Sequence, residues 1–408
     1  MKKLTIKDVD VAGKRVFVRV DFNVPLDEKT SEIMDDGRIR AALPTIEYLK
    51  ERKAKIILCS HLGRPDGKIV EGLRMTPVGL RLSEMLGETV GMVDDCIGED
   101  VEMAVADLRD SEVLLLENVR FHPEEKAGTP SFAQALARLG DLYVNDAFAV
   151  SHRNHASVVG ITGYLPSVAG LLLEKEIVTM DHIMENPAHP FAALVGGAKV
   201  GDKVDLLENI MGKVDFLLVG GGMAATFLKA ESREVGRSLV EADRLDTASA
   251  LMEKARKNGV CLLLPVDVVV VEEISPEAKG TVVAVDQISA GQRIVDIGPK
   301  TIVDFREALR RSKTVFWNGP MGIFEIPQFS EGTSAMANEL AEIKATTVIG
   351  GGSTAEIVAS LKLADKMTLV STGGGASLQY LGGQKLPGVE ALLDKNSPVL
   401  AKLKAVRR

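Results

Sequence analysis

The sequence predicts an α/β protein of two domains, each laid on a parallel sheet. Three observations carry that prediction. At 408 residues the chain exceeds what one ordinary hydrophobic core organises. Short β-branched runs alternate with helical periodicities, the pattern of parallel strands joined by right-handed crossovers. The two halves differ at the ends of their strands, which carry basic and polar residues in the first half and glycine clusters in the second.

Composition narrows the class. A hydrophobic content of 46% with 26% charged residues describes a globular chain. Cys59, Cys96 and Cys261 are widely spaced and read as core thiols of a reducing compartment, which predicts a cytoplasmic protein. The N-terminus turns polar too soon for a signal peptide, and no apolar run approaches the roughly 20 residues of a membrane span. A net charge of −8 argues against nucleic acid as a partner, though not against a small anion held by a local basic cluster.

In the first half, residues 15–20 form a β-rich run ending at Asp21-Phe22-Asn23, with a loop holding Arg38 after it. A helical pattern over 40–52 carries Leu43, Ile46 and Leu49 on one face. Residues 55–59 read as a buried strand ending at Ser60-His61-Leu62-Gly63-Arg64-Pro65. After a helix over 80–86, residues 113–116 end at Glu117-Asn118-Val119-Arg120, and 142–144 end at Asn145-Asp146, with Arg153 just beyond. Ligands of parallel sheets bind past the carboxyl ends of the strands. Those ends collect His61, Arg64, Arg120 and Arg153 with Asp21 and Asn23, a basic anion pocket. Any one of these cations alone reads equally well as a solvated surface charge.

The pattern over 170–185, with Leu173, Ile177, Met180 and Met184 on one face, reads as the link between domains, or as an ordinary helix within one. Four apolar runs then end in glycines: Gly196-Gly197, Gly220-Gly221-Gly222, Gly350-Gly351-Gly352 and Gly373-Gly374-Gly375. Strand, glycine turn and helix start make an anion site, because backbone amides approach the ligand at the positive end of the helix dipole. Repetition along one sheet edge suggests a nucleotide, with close helix–strand packing as the competing reason for glycine. Between these turns lie a β-rich excursion over 280–297 and the rigid turn Asn318-Gly319-Pro320. Lys199 and Lys203, four apart, are expected to share one helix face beside a transferring phosphate.

Known nucleotide motifs discriminate. The order glycine–lysine–hydroxyl of a Walker A loop is absent at 196–203. The loose dinucleotide fingerprint fits at Gly220 and Gly350, but no strand-end acid stands at the required distance; Asp267 comes too late. Phosphoryl transfer therefore leads, with an NAD-dependent dehydrogenase behind it.

The stretches 19–26, 60–65, 117–121 and 145–155 resemble the substrate-domain signatures of the phosphoglycerate kinase family, and 196–203, 220–229, 318–325 and 371–376 resemble those of its nucleotide domain. The resemblance runs nearly end to end. It implies two doubly wound, Rossmann-like α/β domains joined by a hinge helix over 170–185. Residues 1–169, with a C-terminal return over about 386–408, would bind phosphoglycerate, and 186–385 would bind nucleotide. The implied reaction is reversible phosphoryl transfer from 1,3-bisphosphoglycerate to ADP, giving 3-phosphoglycerate and ATP, with Mg²⁺ and in a closing cleft.

Carried over by residue, Asp21, Asn23, Arg38, His61, Arg64, Arg120 and Arg153 match phosphoglycerate positions. Gly196, Lys199, Lys203, Gly220, Asn318, Pro320, Gly350, Gly351, Gly352 and Thr354 match nucleotide positions, with Glu325 at the ribose. Arg38, Lys203, Gly373 and Gly374 would attend the transferring group. The nucleophile in the acyl-phosphate-forming direction is an already ionised carboxylate, so no general base is needed. Ser353 stands where the family usually has an Asp ligand connected with the metal, which leaves the metal ligands open and a non-catalytic nucleotide-binding relative as an alternative. A monomer is expected, with a dimer as the alternative.

Overall fold

The structure is a computed structural model and describes residues 1–27, 29–399 and 403. Its strands in chain order are β1 (Arg15–Arg19), β2 (Lys55–Cys59), β3 (Gly91–Met92), β4 (Val113–Leu115), β5 (Leu142–Asn145) and β6 (Ser167–Ala169). They continue with β7 (Phe191–Val195), β8 (Phe216–Val219), β9 (Cys261–Leu263), β10 (Asp267–Val271), β11 (Thr281–Ala284) and β12 (Arg293–Ile297). The last are β13 (Thr314–Asn318), β14 (Thr346–Gly350) and β15 (Leu369–Val370). The chain divides into one unit of Met1–Val178 with the segment from Lys385 onward, and a second of Thr179–Gln384. The division falls inside the helix Leu171–Glu185, where the sequence placed its link over 170–185.

In the first unit six parallel strands run in the order β3-β4-β2-β1-β5-β6. The central strands are covered on both faces, which is why they read as apolar runs rather than as alternation. The helix Gly37–Glu51 lays Ile39, Ala42, Ile46 and Leu49 on this sheet, packing with Val18 and Leu58. From β1 the chain steps to β2 on one side and later to β5 on the other. That reversal opens a crevice at the strands' carboxyl ends.

The C-terminal segment closes back on the same unit. Asn145 Nδ2 donates to Gly388 O (2.9 Å), Gly388 N to Ser151 O (2.8 Å), and Leu4 N to Leu393 O (2.7 Å). Of the return expected to 408, residues 400–402 and 404–408 lie outside the described residues.

The second unit repeats the plan with six parallel strands ordered β15-β14-β13-β7-β8-β9. Its reversal lies between β7 and β13, both buried along their whole length. The β-rich excursion is a separate antiparallel sheet, β11-β10-β12, over its own apolar cluster of Val268, Val270, Val285 and Ile288.

Three expectations need correction. Lys199 and Lys203 do not share a helix: Lys199 is exposed in an irregular turn, Lys203 ends the short 3-10 turn Gly201–Lys203, and the α-helix starts only at Val204. Asp267 opens β10 rather than ending a strand. Its carboxylate accepts from Lys300 N (3.0 Å) and Thr301 N (2.9 Å), anchoring the helix Pro299–Arg311. Cys59 and Cys96 are buried thiols, but Cys261 lies exposed on the edge strand β9, so it is not a core residue.

Candidate active site

The loops beyond β1, β2 and β4 are tied together by short polar side chains. Ser60 Oγ accepts from Phe22 N (2.8 Å), joining the ends of β1 and β2. Asn118 Nδ2 donates to Leu62 O (2.8 Å) and Leu73 O (2.9 Å), while its Oδ1 accepts from Arg120 N (3.1 Å). Asn23 Oδ1 accepts from Gly63 N (2.7 Å). These clamps fix where the charged residues stand.

Asp21, His61, Arg38, Arg120 and Arg153 are brought into one cluster. Arg38, in the first turn of its helix, is ion-paired to the buried Asp21. Arg120 is buried, with one donation, Nη1 to Gly63 O (2.8 Å), while its Nε and Nη2 find no partner among the described residues. Its pKa is pushed down to about 10, by burial first and then by the charges of Arg19 and Arg153. Arg153 is likewise depressed by burial, and Arg64 and Arg19 add to it. Arg64 itself is exposed at the rim. Cations that depress one another, with guanidinium donors unspent, are arranged for an anion that accepts in bidentate fashion.

His61 is buried and neutral. Burial, then Arg19, Arg120, Arg153 and Arg38, hold its pKa well below the usual range. Arg19 Nη2 lies 3.2 Å from His61 Nδ1. An arginine can only donate, so Nδ1 accepts and Nε2 carries the proton. His61 therefore offers a donor without adding a charge.

Sequence reasoning missed Arg19, Ser157 and Glu125. Arg19 is fully buried at the end of β1, and its Nε donates to Ser157 Oγ (2.8 Å). Ser157 donates through Oγ (2.6 Å) and N (2.8 Å) to the buried Glu125. Burial pushes the Glu125 carboxyl up. The His155 ring 3.5 Å away, the charge of Arg19 and the hydrogen bonds from Ser157 outweigh it and keep the group ionised. The one sequence signal was Arg19 itself, a cation at the end of an otherwise apolar strand.

In the second unit the glycine turns pack on one another. Gly196 N donates to Asn318 O (2.9 Å) and Gly197 N to Pro320 O (2.8 Å), closing the crevice between β7 and β13. A Cβ at Gly196 would collide with the Pro320 carbonyl. A Cβ at Gly374 would sit 2.7 Å from Gly352 N, so the third and fourth turns are also in contact. Backbone packing thus selects glycine here, and the same packing assembles the turns into one platform.

Beside the platform is a cavity of about 420 Å³ lined by Gly197, Gly221, Gly222, Pro320, Glu325 and Ser353, with Ile294 and Met321 as apolar wall. Its size and mixed lining suit a small organic ligand with anionic parts. Arg237 and Arg293, also on its wall, were not anticipated. Gly196, Gly220 and the exposed Lys199 are not among its lining residues.

A second group adjoins it. Lys203 is buried and donates to Asn318 Oδ1; burial, opposed by Asp202, pushes its pKa down to about 8. Thr354 Oγ1 accepts from Gly319 N (2.7 Å), and a Cβ at Gly351 would press on Asn318 Nδ2 at 2.8 Å. Gly350 pairs with Asn318 in the β13–β14 register. In the last turn Gly373 N donates to Ser371 Oγ (3.2 Å), and Ser377 Oγ donates to Gly373 O (2.6 Å). These contacts fix Gly373 at the start of the helix Gly374–Leu381.

No set of carboxylates able to cage a hard cation converges here among the described residues. Ser353 offers a neutral hydroxyl, and Asp296 on the cavity wall is engaged with Ile297 N and Gly332 N. The donor set fits Mg²⁺ only as an ion that arrives on phosphate oxygens with its own water.

A family model described as phosphoglycerate kinase matches residues 6–384. The phosphoglycerate kinase of Pelotomaculum thermopropionicum is 54% identical over 395 residues, 97% of this chain and 100% of that protein. That of Dictyoglomus turgidum is 52% identical over 393 residues, covering 96% and 98%. Among solved structures, the phosphoglycerate kinase from Coxiella burnetii matches with a TM-score of 0.84 at 40% identity, covering 95% of this chain and 98% of that one. The enzyme from Pyrococcus horikoshii OT3 matches with a TM-score of 0.84 at 31% identity and the same coverage.

Proposed function

The chain belongs to the phosphoglycerate kinase family, and from that premise we propose how its two groups of residues divide the family's reaction, reversible phosphoryl transfer from 1,3-bisphosphoglycerate to ADP. The dehydrogenase reading finds no support among the relatives. Arg120, Arg153, Arg64, His61 and Asn23 bind the phosphoglycerate, with Asp21 aiming Arg38. The cavity beside the glycine platform takes the nucleoside, with Glu325 at the ribose, Pro320 on the wall, and Gly196, Gly220, Gly350, Gly351, Gly352 and Thr354 shaping the phosphate path. Lys203 and Arg38 meet the transferring group, and the Gly374 amide at the start of its helix offsets the charge, Gly373 N being engaged by Ser371 Oγ. Lys199 contacts phosphate from the exposed turn.

The observation that carries this reading is Arg120, a buried cation with two unpartnered donors among other arginines. Such a group is costly to keep unless an anion regularly occupies it. The 3-phosphoglycerate carboxylate is ionised near neutral pH and attacks the γ-phosphorus of ATP without a base. Catalysis is then positioning and charge stabilisation. Mg²⁺, when bound with the nucleotide, neutralises phosphate charge; nucleotide oxygens and water would hold it, with Ser353 as a neutral contact. We further propose that the chain acts as a cytoplasmic monomer, and that the helix Leu171–Glu185 serves as hinge.

A coupled assay with 3-phosphoglycerate and MgATP tests the reading. Turnover is expected, and Arg120→Ala should raise KM for 3-phosphoglycerate by tenfold or more, the scale of a lost charged hydrogen bond of about 1.5–3 kcal/mol. Absence of turnover by folded protein overturns the proposal.

A further inference from the structure

One group of side chains takes no part in either site. Asp95 and Cys96 stand in the loop after β3, and His122 comes directly after the 3-10 turn Val119–Phe121. One ligand atom from each, a carboxylate oxygen, the thiol sulfur and a ring nitrogen, lies within 4.8 Å of the other two. Among the described residues this is the one such grouping of His, Cys and acidic side chains.

Each member is held by something else. His122 Nε2 lies 2.6 Å from Asp95 Oδ1, and the ring packs on Phe132 at 5.1 Å between centroids. Asp95 Oδ1 also accepts from Cys96 N (2.6 Å), and Asp95 O from Glu117 N (3.3 Å). Access is one-sided: Asp95 is half exposed and His122 a quarter exposed, while Cys96 forms the buried floor.

We propose that Asp95, Cys96 and His122 form a three-ligand site for a thiophilic divalent cation of the Zn²⁺ class. Thiolate, imidazole and carboxylate together favour Zn²⁺ or its neighbours over Mg²⁺, which takes oxygen ligands. Bonds of about 2.0–2.3 Å to a tetrahedral ion place ligand atoms closer together than 4.8 Å. The Asp95 carboxylate, 2.6 Å from His122 Nε2, draws back to the roughly 3.3–3.5 Å that two such bonds require, and the cation takes the place of the proton the two groups share. The thiol proton leaves to solvent as the Cys96–metal bond forms, and the His122 ring binds through Nε2 with its remaining proton on Nδ1. Three protein ligands leave the fourth position to water.

The test is Co²⁺ titration of the chelator-washed full-length protein carrying Cys261→Ser, which removes the exposed thiol. One equivalent should bind with a thiolate-to-metal charge-transfer band, saturating Mg²⁺ should not abolish it, and Zn²⁺ should. The band should disappear in Cys96→Ser. Affinity should fall about tenfold or more in His122→Gln and in Asp95→Asn, two variants on the solvent side that keep the proposal testable if the buried variant does not fold. No charge-transfer band, or Co²⁺ binding unchanged by His122→Gln and Asp95→Asn, overturns the assignment.

Discussion

Lys203 shows how one residue's surroundings set its chemistry. Desolvation pulls its pKa down to about 8, and its partner Asn318 is neutral, so the ammonium is held ready for phosphate rather than neutralised by a carboxylate. Lys203→Ala should lower kcat by about 10²–10³, the cost of one lost transition-state donor, while nucleotide affinity changes far less. Equal losses in both would show a ground-state role. Because the cation is the useful form, kcat/KM for nucleotide should be full below the free-enzyme pKa and fall as pH rises through about 8. A profile flat from about pH 7 to 9 counts against that. Glu125 is the complementary case. Glu125→Ala leaves Arg19 and Ser157 without their buried anion and should cost about 3–5 kcal/mol in denaturant unfolding. Its folded pKa lies below the ordinary 4.5, so this contribution is full above 4.5 and is lost as pH falls through the lower folded value. A loss under about 1 kcal/mol would mean that the relay does not hold Arg19.

Among the elements, the helix Leu171–Glu185 has the most unusual start. Leu171 N donates to Thr45 Oγ1 (2.9 Å), and Asp146 Oδ1 accepts from Leu172 N (2.9 Å) and Leu173 N (3.3 Å), so two other elements cap it. Burial pushes the Asp146 carboxyl up to about 7 against the pull of Thr45 and the two amides, and Glu176 adds to the rise. The folded state therefore holds a proton that the unfolded chain has lost, and stability should decline between about pH 4 and about pH 7. Asp146→Asn keeps the accepting oxygen and removes the titration. It should flatten that decline relative to the parent, read from urea unfolding at several pH values; parallel curves would refute it. This cap was not legible in the sequence, since Thr45, Asp146 and Leu172 share no periodicity. The strands were. Residues 55–59 and 191–195 were bounded as observed, because apolar runs buried on both faces stop sharply at polar or glycine residues. The strand-end cluster was legible for the same reason, since the fold gathers the residues just past each strand. The Lys199–Lys203 turn was not: helical spacing was read into a segment whose close approach of Gly196 to Pro320 delays the helix to Val204. Glu125 and Ser157 meet only through tertiary packing.

At the scale of the whole molecule, the two kinds of residue never mix. Every member of the basic cluster lies in Met1–Val178, and every glycine turn lies in Thr179–Gln384. Phosphoryl transfer needs attacking oxygen and phosphorus within about 3–3.5 Å and shielded from water, which would otherwise take the acyl phosphate. We expect the units to close when both ligands are bound, since each ligand alone satisfies only its own unit. Compaction should therefore depend on both. Small-angle scattering should show a smaller radius of gyration with 3-phosphoglycerate and a non-hydrolysable MgATP analogue together, and little change with either one. The two occupancies should also be coupled, each ligand raising the affinity for the other by the same factor in calorimetry, because linkage is reciprocal. Full compaction with one ligand would place the driving contacts within a single unit, and an unchanged profile with both would remove closure from the mechanism.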